Sequence, residues 1–324
     1  MITTLIRRAI QASFVIVAMT LIVFVGVHVI GNPVDILINP DLNQAERAQV
    51  IANLGLDKPL WQQYFKFLHG LTQGQVGDSF VYNKPALTVI VERIPATLEL
   101  ALFAMLIAIA AGLPLGLYAG LYPERMSSRL IMTGSILGFS LPTFWVGLML
   151  ILLFAVQLGW LPSNGRGETV RWLGAHWSFL SANGLSHMLL PALNLALFKT
   201  SLILRLTRAG VQEVIVQDFV KFAHAKGLHE SRIVLVHVLK NLMIPVITII
   251  GLEFGSLIAY SVVTESIFGW PGMGKLIIDS INLLDRPVIV AYLMMMVLLF
   301  VTLNFMIDVC YTLLDPRVRL EGKG

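Results

Sequence analysis

Residues Gly269 to Lys275 spell G-x-x-x-x-G-K, the pattern of a loop whose backbone N–H groups cradle a nucleotide phosphate. Leu276 stands where Ser or Thr would hold magnesium, Pro271 removes a backbone donor, and the segment falls on the outer side of the topology derived below, so the pattern is rejected. His224, His229 and His237 share one polar segment, but spacings of five and eight do not stack them on one helical face, and no metal site is expected. There is no H-E-x-x-H motif and no convincing nucleophile–base pattern, so no catalytic residue is expected. What remains are charges in apolar surroundings. Lys199, Glu253 and Asp308 fall inside long hydrophobic runs, where an ionised side chain at a helix centre costs ~2.5–3.5 kcal/mol on insertion scales. Each must face a pore, a partner or a counter-charge, and Lys199 with Glu253 is a candidate pair. Pro142 and Glu265 join these three as candidates for a translocation path or gate.

The elements that must carry these residues follow from composition. Of the 324 residues, 56% are hydrophobic and 13% charged, against roughly 45–50% and 25% in a soluble domain. Hydrophobic runs at 9–30, 96–121, 130–158, 188–206, 242–263 and 288–314 are each about 19 to 29 residues long, enough to cross a ~30 Å hydrocarbon core as a helix. Six crossings leave both termini on one side. Of the 23 Lys and Arg residues, 13 fall on the side of the termini, 9 on the other and Lys199 inside a run. The richer side has about half the loop length, so the termini are expected in the cytoplasm. The net charge of +4 therefore describes topology, and no aromatic-basic platform suggests nucleic acid. The first run, behind Arg7 and Arg8, leads into Gly31-Asn32-Pro33 and not into a small-x-small site, so it reads as an uncleaved span. The lone Cys310 excludes an intramolecular disulfide or a Cys-based metal site and reads as a packing residue.

Between the runs, residues 31–95 predict a small helical cap, with amphipathic stretches at 45–54 and 60–71. The outer segments 159–187 and 264–287, rich in Gly and Pro, predict structured turns. Pro114 and Pro142 favour kinks. Gly112, Gly116 and Gly120, with Gly134 and Gly138 and with Gly251 and Gly255, recur four apart, which allows close backbone approach between helices. Residues 212–241 have helical periodicity but are too polar for lipid. There Val216, Phe219, Val220 and Ala223 form one apolar face beside Asp218, Lys221 and His224. Gly227 and Leu228 interrupt the pattern before a second helical stretch at 230–239, so two short helices are expected to meet at a left-handed glycine.

The stretch Asp218-Phe219-Val220-Lys221-Phe222-Ala223-His224-Ala225-Lys226-Gly227-Leu228 strongly resembles the EAA loop of ABC importer permeases, in its dipeptide/oligopeptide-type variant. The likeness extends to Leu54-Gly55-Leu56-Asp57-Lys58-Pro59-Leu60, Arg93-Ile94-Pro95-Ala96-Thr97-Leu98, Leu158-Gly159-Trp160-Leu161-Pro162, Glu265-Ser266-Ile267-Phe268-Gly269-Trp270-Pro271-Gly272 and the closing Asp308, Tyr311 and Asp315-Pro316-Arg317, so it covers essentially the whole chain. Ala223 and Gly227 occupy the motif's Ala and Gly positions. Lys221 and Phe222 depart from the family-wide Glu-Ala, Lys240-Asn241 stands where many relatives have Pro, and Gly74-Gln75-Val76-Gly77-Asp78 places its Asp after the glycines.

The resemblance implies an all-α polytopic membrane protein of type I ABC importer permease architecture, with six transmembrane helices and cytoplasmic termini. Its parts would be a first span and outer helical cap (1–95), a five-helix permease core holding the cytoplasmic coupling loop 207–241 (96–314), and a tail (315–324). It further implies a permease of the inner membrane that carries short peptides, with nickel or another small solute as the alternative. The partners it implies are a second homologous permease, two ATP-binding subunits that bind ATP and Mg, and an extracytoplasmic substrate-binding protein. No cofactor is expected on this chain. The residues alone leave two rivals open, an ion-gradient-driven transporter working through Glu253, Lys199 and Asp308, and a scaffold that anchors a soluble complex.

Overall fold

The computed structural model describes residues 2–30, 43–54, 58–74 and 76–314. Asp308 and Cys310 lie in the last helix with side chains outside the described residues, and Gly55 to Asp57, Gln75 and the predicted tail 315–324 lie outside them altogether. In chain order the helices begin with α1 (Ile2–Ile30), α2 (Gln44–Leu54), α3 (Leu60–Thr72), α4 (Ala86–Leu121), α5 (Met126–Ser140) and α6 (Thr143–Leu150), the last continuing as a π-helical stretch Ile151–Gln157. After strands β1 (Val170–Trp172) and β2 (Ala175–Trp177) come α7 (Ala182–Ile215), α8 (Asp218–Ala225) and α9 (Glu230–Arg232). A second π-helical stretch, Ile233–Val238, joins α9 to α10 (Leu239–Ile267), followed by α11 (Met273–Asn282) and α12 (Arg286–Leu314).

Two units are distinguishable, Met1–Pro95 with Gly272–Val309, and Ala96–Pro271 with Cys310–Gly324. In the first, the helices expected within residues 31–95 are present as α2 and α3. Asn43 and Glu46 close a reciprocal cap on α2, with Asn43 Oδ1 accepting from the Glu46 N–H at 2.9 Å and Glu46 Oε2 from the Asn43 N–H at 3.1 Å. Helix α3 lies against α1 through Tyr64 and Phe67, whose rings pack on Phe24 at 5.3 and 5.8 Å, and the Tyr64 hydroxyl meets Thr20 Oγ1 at 2.9 Å. Buried Asp285, just before α12, accepts hydrogen bonds from Ser79 Oγ and from the Phe80 N–H at 3.1 Å, which ties the turn at 79–81 to the start of that helix.

Four helices among the described residues are long and apolar enough to cross a membrane: α4, α7, Pro245–Ile267 of α10 and Arg286–Met306 of α12. The run at 130–158 differs from the single span expected. It divides into α5 and α6, which bend by 104° at the break. Proline explains the site of the break. Its ring disfavours helical geometry at the preceding residue, and Leu141 and Pro142 are both extended, at φ −78°, ψ 135° and φ −60°, ψ 129°. Pro142 then opens α6, where its missing N–H costs nothing. By contrast, α4 continues through Pro114 as one element.

The all-helical expectation needs one addition. The segment 159–187 holds a two-stranded antiparallel hairpin, Val170 opposite Trp177 and Trp172 opposite Ala175. Its two loop residues, Leu173 and Gly174, have φ of 51° and 81°, the sense of turn that matches strand twist in two-residue hairpins.

In the second unit the glycine rows become contacts. A Cβ on Gly116 would lie 2.5 Å from Leu204 O and 2.7 Å from Thr207 Cβ, and one on Gly120 would lie 2.6 Å from Val211 Cβ. Helices α4 and α7 therefore touch backbone to backbone along this row, which in lipid replaces the hydrophobic driving force with close packing. A Cβ on Gly138 would lie 2.9 Å from Ser201 Oγ, whereas one on Gly134 would meet nothing within 4 Å among the described residues. Gly116→Ala is accordingly expected to lower the thermal midpoint of the detergent-solubilised protein by several degrees. Gly134→Ala should leave it unchanged or raise it slightly, by up to the ~1 kcal/mol of helix propensity. Equal midpoints for the two variants would contradict the backbone contact.

Candidate functional site

The segment expected to form two helices around a glycine does so. Helix α8 ends in a six-residue closing motif: Gly227 N–H donates to His224 O at 2.9 Å and Leu228 N–H to Ala223 O at 3.3 Å. Gly227 sits between them at φ +70°. This double bond pattern satisfies carbonyls that a helix end would otherwise leave open, and the left-handed residue it needs is cheapest as glycine. Leu228 then folds back onto a cluster built from Val211 of α7, Val220 and Ala223 of α8, Ile233 and Val238 of the π-helical stretch, and Leu242 and Val246 of α10. Of the apolar face expected on α8, Val220 and Ala223 are buried in that cluster, while Val216 and Phe219 remain exposed. Phe222 is exposed as well, at 62%, with the Lys226 ammonium 4.6 Å from its ring centre. Lys221 pairs with Asp218 at 2.9 Å in solvent, and His224 lies 3.4 Å from Glu230 across the corner. Ala225 occupies the last helical position. The outcome is a rigid knob, held from within by small side chains and offering two phenylalanines outward.

Lys199 of α7 and Glu253 of α10 come together as an ion pair. Ser256 Oγ accepts from Lys199 Nζ at 2.6 Å and lies 3.0 Å from Glu253 Oε2. The Lys199 side chain is 5% exposed and that of Glu253 26%. The remaining path candidates are placed apart from this pair. Glu265 is buried near the end of α10 and accepts from Thr97 Oγ1 at 2.8 Å and Ser261 Oγ at 3.0 Å. Pro142 lies at the α5–α6 break, and Asp308 lies in α12 with its side chain outside the described residues.

Two family models match nearly the entire chain: the binding-protein-dependent transport system inner membrane component over residues 112–320, and the N-terminal part of such membrane components over residues 1–101. The chain belongs to this family. It is thus a multi-pass subunit of an inner-membrane transport system. Among relatives, a di/tripeptide transport system permease of Pseudomonas aeruginosa is 38% identical over 93% of this chain and 94% of its own length. A dipeptide transport system permease of Escherichia coli K12 is 36% identical over 94% of both chains, and a glutathione transport system permease of the same strain is 34% identical over 99% of this chain and 100% of its own. Two inward-facing structures of a methionine ABC transporter share the fold, with TM-scores of 0.56 and 0.55 at 16% and 14% identity, each covering 71% of this chain and 98% of theirs.

Within this binding-protein-dependent permease, sequence reasoning missed a second buried charge centre. Glu99 of α4 is enclosed, and Arg166 Nε donates to its Oε1 at 2.7 Å while Ser178 N–H donates to Oε2 at 2.8 Å. Arg166 also donates to His176 O at 2.6 Å, which ties the hairpin to the spans. Glu99 falls at the edge of an apolar run and Arg166 in a loop, so only their pairing, invisible in sequence, marks them. Trp270, whose amphipathic ring would suit a lipid boundary, is fully buried, its Nε1 donating to Ala96 O at 2.9 Å. The G-x-x-x-x-G-K lysine, Lys275, is held by Asp279 one helical turn on, at 2.7 Å.

Among the described residues nothing lies within 4 Å of a Cβ built on Gly227, so a substitution there is limited by its backbone angle. Gly227→Val is expected to cost about 1–2 kcal/mol in the corner and to reduce coupled transport, while Gly227→Asn, tolerant of the left-handed region, retains most of it. Equal transport by both variants, measured in reconstituted vesicles, would count against the role of the left-handed corner.

Proposed function

We propose that this chain is one of two homologous permease subunits of an ATP-driven importer of short peptides. It crosses the inner membrane six times with both termini in the cytoplasm, counting α5 and α6 as one bent crossing. Residues 1–95 supply the first span and outer cap, and 96–314 the five-helix core. Its 207–241 segment faces the cytoplasm and docks on one of two ATP-binding subunits, which hold ATP and Mg. An extracytoplasmic binding protein delivers the substrate. Closure of the ATPases shifts the permease pair between inward- and outward-facing states.

The observation that carries this reading is the α8 knob. Val220 and Ala223 fasten it to the cluster that includes α7 and α10, while Phe219 and Phe222 stay exposed outside it. A soluble partner with an apolar cleft would cover the two rings, and a displacement of the knob would reach both spans directly. The peptide cargo is supported by the names of the relatives, which transport dipeptides, tripeptides and glutathione.

The complete complex in liposomes should take up a labelled dipeptide only when ATP is supplied on the knob side. Phe222→Asp, which puts a charge where a partner would need an apolar contact, should lower uptake at least tenfold and weaken co-purification of the ATPases. Uptake driven by an ion gradient without ATP would refute the reading in favour of a secondary transporter.

A further inference from the structure

The Lys199–Glu253 pair lies near the middle of its spans. Glu253 falls well inside the apolar stretch Pro245–Ile267, and Lys199 well inside α7. A carboxylate 26% exposed at that depth cannot face hydrocarbon without a cost of kilocalories, so the face of α10 that bears it meets water or protein. The pair is lopsided. Lys199 is enclosed and doubly bonded, to Glu253 and Ser256, whereas among the described residues no hydrogen bond reaches Glu253 Oε1. Two turns further along the same face stands Tyr260, 72% exposed, its ring centre 5.9 Å from Lys199 Nζ. A carboxylate oxygen that accepts no bond, with an exposed aromatic ring already within cation–π range of the pair's own ammonium, is a receptor for an ammonium group, and the lysine behind it is a receptor for a carboxylate.

Charge balance selects the ligand. Opening the pair for a lone cation or a lone anion would strand one charge in the membrane. A zwitterion strands neither, because each of its ends replaces the partner that the other side chain loses. We propose that, on the peptide-importer reading above, Lys199 and Glu253 form an exchange subsite for short peptides with free termini: Glu253 takes the α-ammonium, with Tyr260 flanking it, and Lys199 takes the α-carboxylate. A dipeptide extends to about 7 Å, so its two charged ends fit a pair that opens by side-chain rotation. The long, flexible lysine stem supplies that rotation.

The test is uptake of Ala-Ala, N-acetyl-Ala-Ala and Ala-Ala amide by the complete complex in liposomes. Every variant is fed by the same binding protein, so that protein's own preference cancels between variants. Relative to wild type, Glu253→Gln should lower the ratio of Ala-Ala to N-acetyl-Ala-Ala uptake at least tenfold, and Lys199→Met the ratio of Ala-Ala to the amide by a similar factor. The double variant Glu253→Gln/Lys199→Met carries no unpaired charge and should assemble with its partners yet lose both preferences. It answers the question even where a single variant fails to co-purify. Unchanged ratios, or wild-type Ala-Ala uptake by the double variant, would make the pair a structural tie between α7 and α10 and overturn the proposal. A wild-type complex that imports none of the three peptides would refute the peptide reading itself, and the subsite with it.

Discussion

A charge or a polar backbone group placed in hydrocarbon has to find its partner within the protein, and this requirement organises the membrane-spanning part of the chain. Lys199 and Glu253 meet each other across α7 and α10, with Ser256 between them. Glu265 is satisfied by two hydroxyls, and Glu99 by Arg166 and the Ser178 N–H. A buried pair of this kind contributes little net stability, since desolvation offsets most of the attraction. Removing one partner is costly, though, because it leaves the other charge unpaired. These centres therefore fix which helices lie together more than how tightly they hold.

The tightness comes from backbone contact. Along Gly112, Gly116 and Gly120, α4 presses on the backbone and β-carbons of α7, and the last of these glycines abuts Val211. Val211 is also a member of the cluster that grips Val220 and Ala223 of α8. One side chain thus belongs both to the packing of the spans and to the seat of the knob. A displacement of α8 has no soft layer in which to dissipate before it reaches α7, because packed interiors shift between discrete arrangements and do not deform smoothly.

Much of this was legible in the sequence, and the legible parts share a cause. Four of the membrane-length runs, the helix–Gly227–helix pattern and the Gly112–Gly116–Gly120 row are periodic or local signals, and these reappear in the structure. The break at Leu141 was only half legible: Pro142 announces a kink, but the 104° bend depends on what the two halves pack against. The hairpin was hidden because three-residue strands are too short to show alternation. Glu99 with Arg166 and Asp285 with Ser79 were hidden for a different reason. Their residues stand far apart in sequence, and in isolation each reads as an ordinary polar position in a loop or at the edge of an apolar run. The burial of Trp270 was missed in the same way, since its amphipathic ring suits a lipid boundary as well as a core with one carbonyl within reach.

The stiffness of the corner at Gly227 completes the mechanical picture. A glycine usually loosens a chain, yet here its own N–H and that of Leu228 are bonded back to α8, to His224 O and Ala223 O. Opening the corner would break those two bonds, at about 0.5–1.5 kcal/mol each, and would also lift Leu228 off the cluster. The left-handed residue therefore acts as a fixed elbow and not as a hinge. Beyond it, the π-helical stretch Ile233–Val238 has a widened turn that interrupts the regular ladder between α9 and α10. Force arriving at the exposed face of α8 would pass through a stiff elbow into that stretch, and from there into the helix that carries Glu253.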